Sequence, residues 1–185
     1  REARGLAASG VVVVVCSRHE TRIPNGIGDL QKGERQFRYL NVDFIAFSRI
    51  RWFNIREIVI SHDIACQWHK GLIERLGLLP GSIQPSWITK IVFAIPKFHL
   101  PAHIESCNRT LSFNLIKGVG GTDGEAPERG WSGMNGIAKS TAEMGPGNRR
   151  DTLDDHLGDA NNEKVKALGK FVEVLCPQLV MLTFV

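Results

Sequence analysis

Asp63 stands where a short β-branched run, Ile58-Val59-Ile60, gives way to Ser61 and His62, and an apolar pattern of helical spacing follows at Ile64, Trp68, Leu72, Ile73 and Leu76. Strand, acid, helix is the order in which α/β proteins keep catalytic or metal-binding carboxylates at a sheet edge. The simpler reading makes Asp63 the N-cap of its helix, and these residues alone favour it. Further acids stand at loop or helix starts: Asp123, Glu125, Glu128, Asp151, Asp154 and Asp155. Phosphodiester chemistry with two divalent ions needs about three carboxylates converging from separate elements, because hard cations take oxygen ligands and must sit ~4 Å apart. Taken singly, each acid is more often a cap or a solvated charge than a metal ligand.

A softer ion has its own candidates. Cys16-x2-His19, Cys66-x2-His69 and the series His99, His103, Cys107 are spaced like zinc half-sites, since thiolate and imidazole suit zinc. Pro101 interrupts the last series and no closing pair stands at standard spacing, so structural or incidental histidines account for the pattern better. The stretch Gly118-Val119-Gly120-Gly121-Thr122-Asp123-Gly124 does not follow a strand directly, as a phosphate-cradling loop must, and reads as a flexible connector ahead of Glu125. Arg129, Lys139, Arg149 and Arg150, with Trp131 nearby, suit either a phosphate backbone and a stacked base or a solvated basic face.

The elements that must position these residues follow from the apolar pattern. Five consecutive valines, Val11 to Val15, predict a buried strand, and residues 57–61 and 90–95 predict two more, the last stopped by Pro96. Between them, residues 35–51 and 64–78 carry helical spacing, while 17–33 is turn-rich, with Pro24-Asn25-Gly26, and holds one short strand or none. Strand, helix, strand, helix, strand implies an α/β fold with parallel pairing. Farther on, a helix is expected from about Glu128, a turn at 144–148, a helix from Asp151 or Thr152 through Leu157, and a closing helix over 162–175.

Composition bounds the function. The 185 residues bury one sizeable core; 43% are apolar and 23% charged, as in a soluble globular protein. A net charge of +4 permits nucleic acid without demanding it. Cys16, Cys66, Cys107 and Cys176 form no CxxC pair and are expected to be reduced thiols of an intracellular protein. The valine run is too short for a secretory core, and the apolar tail at 171–185 falls short of the ~20 residues of a membrane span, so neither export nor insertion is expected. The chain opens on Arg1 rather than Met, which suggests a piece of a longer product.

Longer phrases carry a family likeness. Cys16-Ser17-Arg18-His19, Pro24-Asn25-Gly26-Ile27-Gly28-Asp29-Leu30-Gln31-Lys32-Gly33-Glu34-Arg35, Ser61-His62-Asp63-Ile64-Ala65-Cys66-Gln67-Trp68, Ile95-Pro96-Lys97-Phe98-His99-Leu100-Pro101-Ala102-His103, Thr122-Asp123-Gly124-Glu125, Glu128-Arg129-Gly130-Trp131 and the run from Glu143 to His156 occur in that order. Over residues 10–169 the chain closely resembles the Kyakuja-Dileera-Zisupton (KDZ) transposase domain. The resemblance leaves 170–185 as an atypical apolar tail.

That resemblance implies a DDE-type, ribonuclease H-like catalytic core: a mixed sheet of order 3-2-1-4-5 with flanking helices and a loop/helix insertion before the last catalytic helix. Here the core is expected to lack its first strand, because no acid-bearing strand precedes Val11 and the first catalytic Asp is expected upstream of Arg1. Strands two and four would then lose their shared neighbour. Of the remaining ligands, Asp63 falls on the second acidic position, and Glu125, with Glu128 in reserve, on the third; Asp63 and Glu125 would hold Mg²⁺ or Mn²⁺. His99, His103, Cys107 and Arg129 are expected to structure the site or touch phosphate. The implied function is divalent-metal-dependent DNA strand cleavage and transfer in the intact parent, acting on transposon ends and target DNA in the nucleus, as a homo-oligomer, with this fragment inactive. The alternatives are a relic that only binds DNA or protein, and a zinc-structured interaction module. The chain departs from the family pattern at His62, where Tyr is usual, at Gly121, where Arg is usual, and at Ala160-Asn161-Asn162, which replaces a Trp-containing stretch.

Overall fold

A computed structural model describes residues 8, 10–30, 38–53, 55–168 and 180–184. The valine run forms β1 (Gly10–Cys16), and its side chains alternate between two buried faces. Val12 and Val14 join one core, and Val13 and Val15 another. A strand buried on both sides needs no polar alternation, which is why the run is uninterrupted.

β2 (Arg22–Leu30) pairs antiparallel with β1, with a register shift between Val13 and Val15. This is a longer strand than the turn residues Pro24-Asn25-Gly26 suggest. As an outermost strand β2 tolerates a proline and the left-handed Asn25 (φ 54°). α1 (Arg38–Ile50) then lays Val42, Ala46, Phe47 and Ile50 on one sheet face. β3 (Glu57–His62) and β4 (Lys90–Ala94) pair in parallel, as the crossover pattern requires.

The helix expected over 64–78 is two short ones, α2 (Ala65–Trp68) and α3 (Leu72–Gly77). Gly71 between them adopts φ +66°, a left-handed conformation that ends one helix and starts the next. Asp43 of α1 ties the pieces back: its carboxylate, fully buried, accepts hydrogen bonds from Trp68 Nε1 at 2.8 Å and Arg75 Nε at 2.5 Å. Burial pushes the Asp43 carboxyl above its usual range, against the opposing pull of Arg75 and Trp68.

After β4 come a 3₁₀ turn (Leu100–Ala102), α4 (Glu105–Thr110) and a second 3₁₀ turn (Phe113–Leu115). α5 (Ala126–Met134), α6 (Ala138–Glu143) and α7 (Pro146–Leu168) follow. Two helices expected near 151–157 and 162–175 are one, because Pro146 starts the helix rather than ending a turn: the first helical turn has no use for the amide that proline lacks. Residues 169–175 lie outside the described residues. Asn161 clips α7 to β2, accepting from Arg22 N–H and donating to Arg22 O, both at 2.8 Å. Arg149 adds a fork onto the Asp29 carboxylate at 3.0–3.2 Å.

The sheet has the order β2-β1-β5-β3-β4, where β5 is Val180–Phe184. β5 lies antiparallel to β1 and parallel to β3, so the gap expected from a missing first strand is not there. A segment of the presumed tail supplies the backbone donors and acceptors that β1 and β3 would otherwise leave unpaired. The result is a mixed α/β sheet with α1, α2 and α3 packed on one face and α5 and α7 on the other.

Candidate metal centre

Asp63 follows β3 directly, where the paired backbone stops and the chain turns. The cap expected of it is absent: Ile64 holds the N-cap position of α2 with no side-chain cap bond, and Ile64 N–H donates instead to His62 Nδ1 at 3.0 Å. Asp63 Oδ1 is buried and has no hydrogen-bond partner. A buried carboxylate oxygen in that condition is costly unless something cationic faces it.

What faces it comes from two other elements. His99, at the start of the 3₁₀ turn after β4, places Nε2 3.7 Å from Asp63 Oδ1 and 3.6 Å from Glu128 Oε1. Glu128 lies in the first turn of α5, which Ala126 and Trp131 anchor against Val13 and Val15 of β1. One ligand atom from each of Asp63, His99 and Glu128 lies within 4.8 Å of the others. The two histidine distances are too long for hydrogen bonds. They suit a shared ion, because two atoms each about 2.1 Å from one cation can stand up to about 4.2 Å apart.

Burial, with the neighbouring Glu128 carboxylate adding to it, raises the Asp63 carboxyl above its ordinary range, while His99 and His103 pull the other way. A bound cation would relieve both raising effects. The orphaned Oδ1, two carboxylates and an imidazole therefore fit a divalent ion such as Mg²⁺ or Mn²⁺, the carboxylates more closely than the imidazole.

Glu125 is outside this group. As the residue before α5 it turns back, and its Oε1 accepts the Phe98 N–H at 2.7 Å, next to His99. Lys97 N–H donates to Asp123 O at 2.9 Å, so the two loops run side by side. Glu125 thus fixes the loop that carries His99. The glycine-rich stretch ends at Gly124 (φ +82°), where a Cβ would come 2.6 Å from Phe113 Cε2 and 3.0 Å from Ser61 Oγ. Only glycine lets this loop pass so close to the end of β3.

Two of the four basic candidates, Arg129 and Arg149, are engaged within the fold. Arg129 donates to Asp123 at 2.8 Å and to Glu20 at 2.5 Å, and Lys164 reaches the same Glu20. The Arg129 hydrogen bonds hold the Asp123 carboxyl below its usual range. For Glu20, burial works upward and is outweighed by the hydrogen bonds from Lys164 and Arg129. Arg149 is buried on Asp29, and Trp131 packs against the cluster of Met134, Leu153 and Leu157; Lys139 and Arg150 are exposed.

The sulfur and imidazole groups pair differently from their spacing. Cys16 Sγ meets His19 Nδ1 at 3.3 Å, as spaced. His69, however, donates from Nδ1 to Ala65 O at 2.7 Å, and Cys66 Sγ meets His103 Nδ1 at 3.5 Å. Cys66, His103 and the buried Cys107 bring one ligand atom each within 4.8 Å of one another. Burial and the neighbouring Cys107 push the Cys66 thiol up. Sequence spacing brought out His103 and Cys107 but paired Cys66 with His69, because thirty-seven residues separate Cys66 from His103.

A family model described as Kyakuja-Dileera-Zisupton transposase matches residues 1–161. No curated protein and no solved structure matches the chain. Among the described residues, no helix is long and apolar enough to cross a membrane.

Proposed function

The chain belongs to the Kyakuja-Dileera-Zisupton transposase family, which gives it a transposase-related role with DNA as its general partner, and from that premise we propose that it is a DDE-type, ribonuclease H-like catalytic core whose divalent-ion ligands include Asp63 and Glu128. The observation that carries the reading is the buried, unpartnered Asp63 Oδ1, in one cluster with Glu128 and His99. Strand order supports it: β2-β1-β5-β3-β4 repeats the 3-2-1-4-5 arrangement of the ribonuclease H fold, antiparallel on one side of the centre and parallel on the other.

In this reading Asp63 comes from the strand end and Glu128 from the helix beyond the loop insertion. When bound, Mg²⁺ or Mn²⁺ supplies Lewis-acid activation of an attacking oxygen and neutralises charge at a scissile phosphate. Asp63 and Glu128 would hold the ion, His99 Nε2, 3.7 Å from Asp63 Oδ1 and 3.6 Å from Glu128 Oε1, would complete the donor set, and Glu125 positions the His99 loop through Phe98 N–H. The central strand, Val180–Phe184, contains no acid, so the described residues bring two of the three carboxylates such a site uses. On this reading the described residues supply an ion-binding pair, and strand cleavage would need a third carboxylate beside it.

The test is calorimetric titration of Mn²⁺ into the chain and its variants. Asp63→Asn and Glu128→Gln should each weaken binding about tenfold or more, close to 1.4 kcal/mol. Glu125→Gln should cost less than Glu128→Gln. Unchanged Mn²⁺ affinity in a folded Asp63→Asn chain refutes the assignment and leaves a family relic indifferent to metal.

A further inference from the structure

We propose that Cys66, His103 and Cys107 form a second metal site, specific for zinc, which cross-links the two segments that carry Asp63 and His99. The three come from separate elements: Cys66 from α2, His103 from the residue closing the 3₁₀ turn, and Cys107 from α4. Tetrahedral zinc with Zn–S of about 2.3 Å and Zn–N of about 2.0–2.1 Å sets ligand atoms about 3.8 Å apart for two sulfurs and about 3.5 Å apart for a sulfur and a nitrogen. The Cys66 Sγ to His103 Nδ1 distance is 3.5 Å, and all three ligand atoms fall within 4.8 Å. Two thiols and an imidazole are soft donors, and they select zinc over the hard ions that suit Asp63 and Glu128.

The surroundings suit a closed, partly dry site. Cys107 is buried in an apolar cluster with Ala65, Ile95, Leu100 and Leu111, and Cys66 packs against it. On the other side the trio opens on a cleft lined by Gln67, His69 and Thr110, which leaves the fourth coordination position to water. Binding releases the two thiol protons to solvent, with no change of oxidation state.

The position of the site gives it a role. Cys66 lies three residues beyond Asp63, and His103 four beyond His99. An ion bridging Cys66 to His103 and Cys107 fixes the α2 segment against the loop after β4, and so sets the spacing of the Asp63–His99 pair. No such tie is needed for the Asp63 cluster to bind Mn²⁺, so the two sites can fail separately.

The chain is purified under a thiol reductant without chelator, and its zinc is measured by mass spectrometry. About one zinc per chain is expected, falling below about a tenth in Cys66→Ser and in Cys107→Ser. Cys16→Ser and Asp63→Asn should keep full zinc, since Cys16 pairs with His19 elsewhere and Asp63 belongs to the other cluster. X-ray absorption on the unmutated chain should then show two sulfur ligands at about 2.3 Å, a reading independent of whether any variant folds. Less than about a tenth of an equivalent of zinc in the unmutated chain, a sulfur count of none or one, or equal zinc loss in Cys16→Ser and Cys107→Ser overturns the proposal.

Discussion

Replacing Asp63 by Asn should make the metal-free chain more stable, not less. The side chain is only 28% exposed, its Oδ1 has no hydrogen-bond partner, and its nearest cationic candidate is His99 at 3.7 Å. Its carboxyl is raised by burial and then by Glu128, so the native state holds the proton more tightly than the unfolded chain does. The stabilising contribution of that proton is complete below the ordinary carboxylate range and is lost as pH rises through the raised value. At neutral pH the ionised group is therefore a cost. Leaving a buried group unsatisfied costs about 1–3 kcal/mol and more when it is charged; Asn keeps the polar oxygen but removes the charge and its repulsion with Glu128, and partial exposure puts the gain near the lower end. Recovering about 1 kcal/mol raises the Tm of a chain this size by about 2–4 °C. Thermal unfolding followed by circular dichroism in chelator at about pH 7.5 should show that gain, and the gap should close on acidification as Asp63 protonates. With Mn²⁺ at about ten times its Kd the gap should close, because binding adds about 1.4 kcal/mol to the unmutated chain and about 0.4 kcal/mol to a variant that binds tenfold more weakly. An Asn variant that melts lower in chelator would refute the reasoning, since it would make the carboxylate a structural partner rather than a group held for an ion.

Asp43→Ala strips a buried carboxylate from Arg75 and Trp68, and should cost about 3 kcal/mol, read as a lower urea midpoint with the slope unchanged. Gly124→Ala forces a Cβ against Phe113 and Ser61 at φ +82°; a loss of about 1–3 kcal/mol and weaker Mn²⁺ binding should appear together, because the same loop leads into Glu128. Arg129 holds Asp123, and together with Lys164 holds Glu20, below the usual carboxyl range, so their contribution is present above that range and is lost as pH falls through the depressed values. Arg129→Gln should flatten the acid limb of the stability curve by less than about 1 kcal/mol, as its guanidinium is largely solvated.

Where local pattern determines structure, the sequence was readable. The valine run, the strands at 57–62 and 90–94 and α1 follow from β-branching and apolar periodicity, and each forms near its expected bounds. β2 was hidden because Pro24, Asn25 and Gly26 are turn residues that an outermost strand tolerates. The break at Gly71 depends on one left-handed residue, and the start of α7 at Pro146 depends on where proline's missing amide falls. β5 was beyond periodicity, because nothing in residues 180–184 states which strands they will separate. At the site, Asp63 was visible as an acid at a strand end, but the choice between Glu125 and Glu128 turns on the first turn of α5. Glu125 points to Phe98 N–H and Glu128 to His99. The Cys66–His103 pairing is a product of the tertiary fold alone.

The origin of β5 sets the timing of assembly. Its pairing of Ile58 with Val180 spans about 120 residues, so the β1–β2 hairpin and the β3–β4 unit must each form and wait before the strand between them arrives. During synthesis at about 5–20 residues per second that wait lasts several seconds, with two sheet margins open to pairing with other nascent chains. Folding yield, more than the stability of the finished molecule, should respond to what happens at residues 180–184.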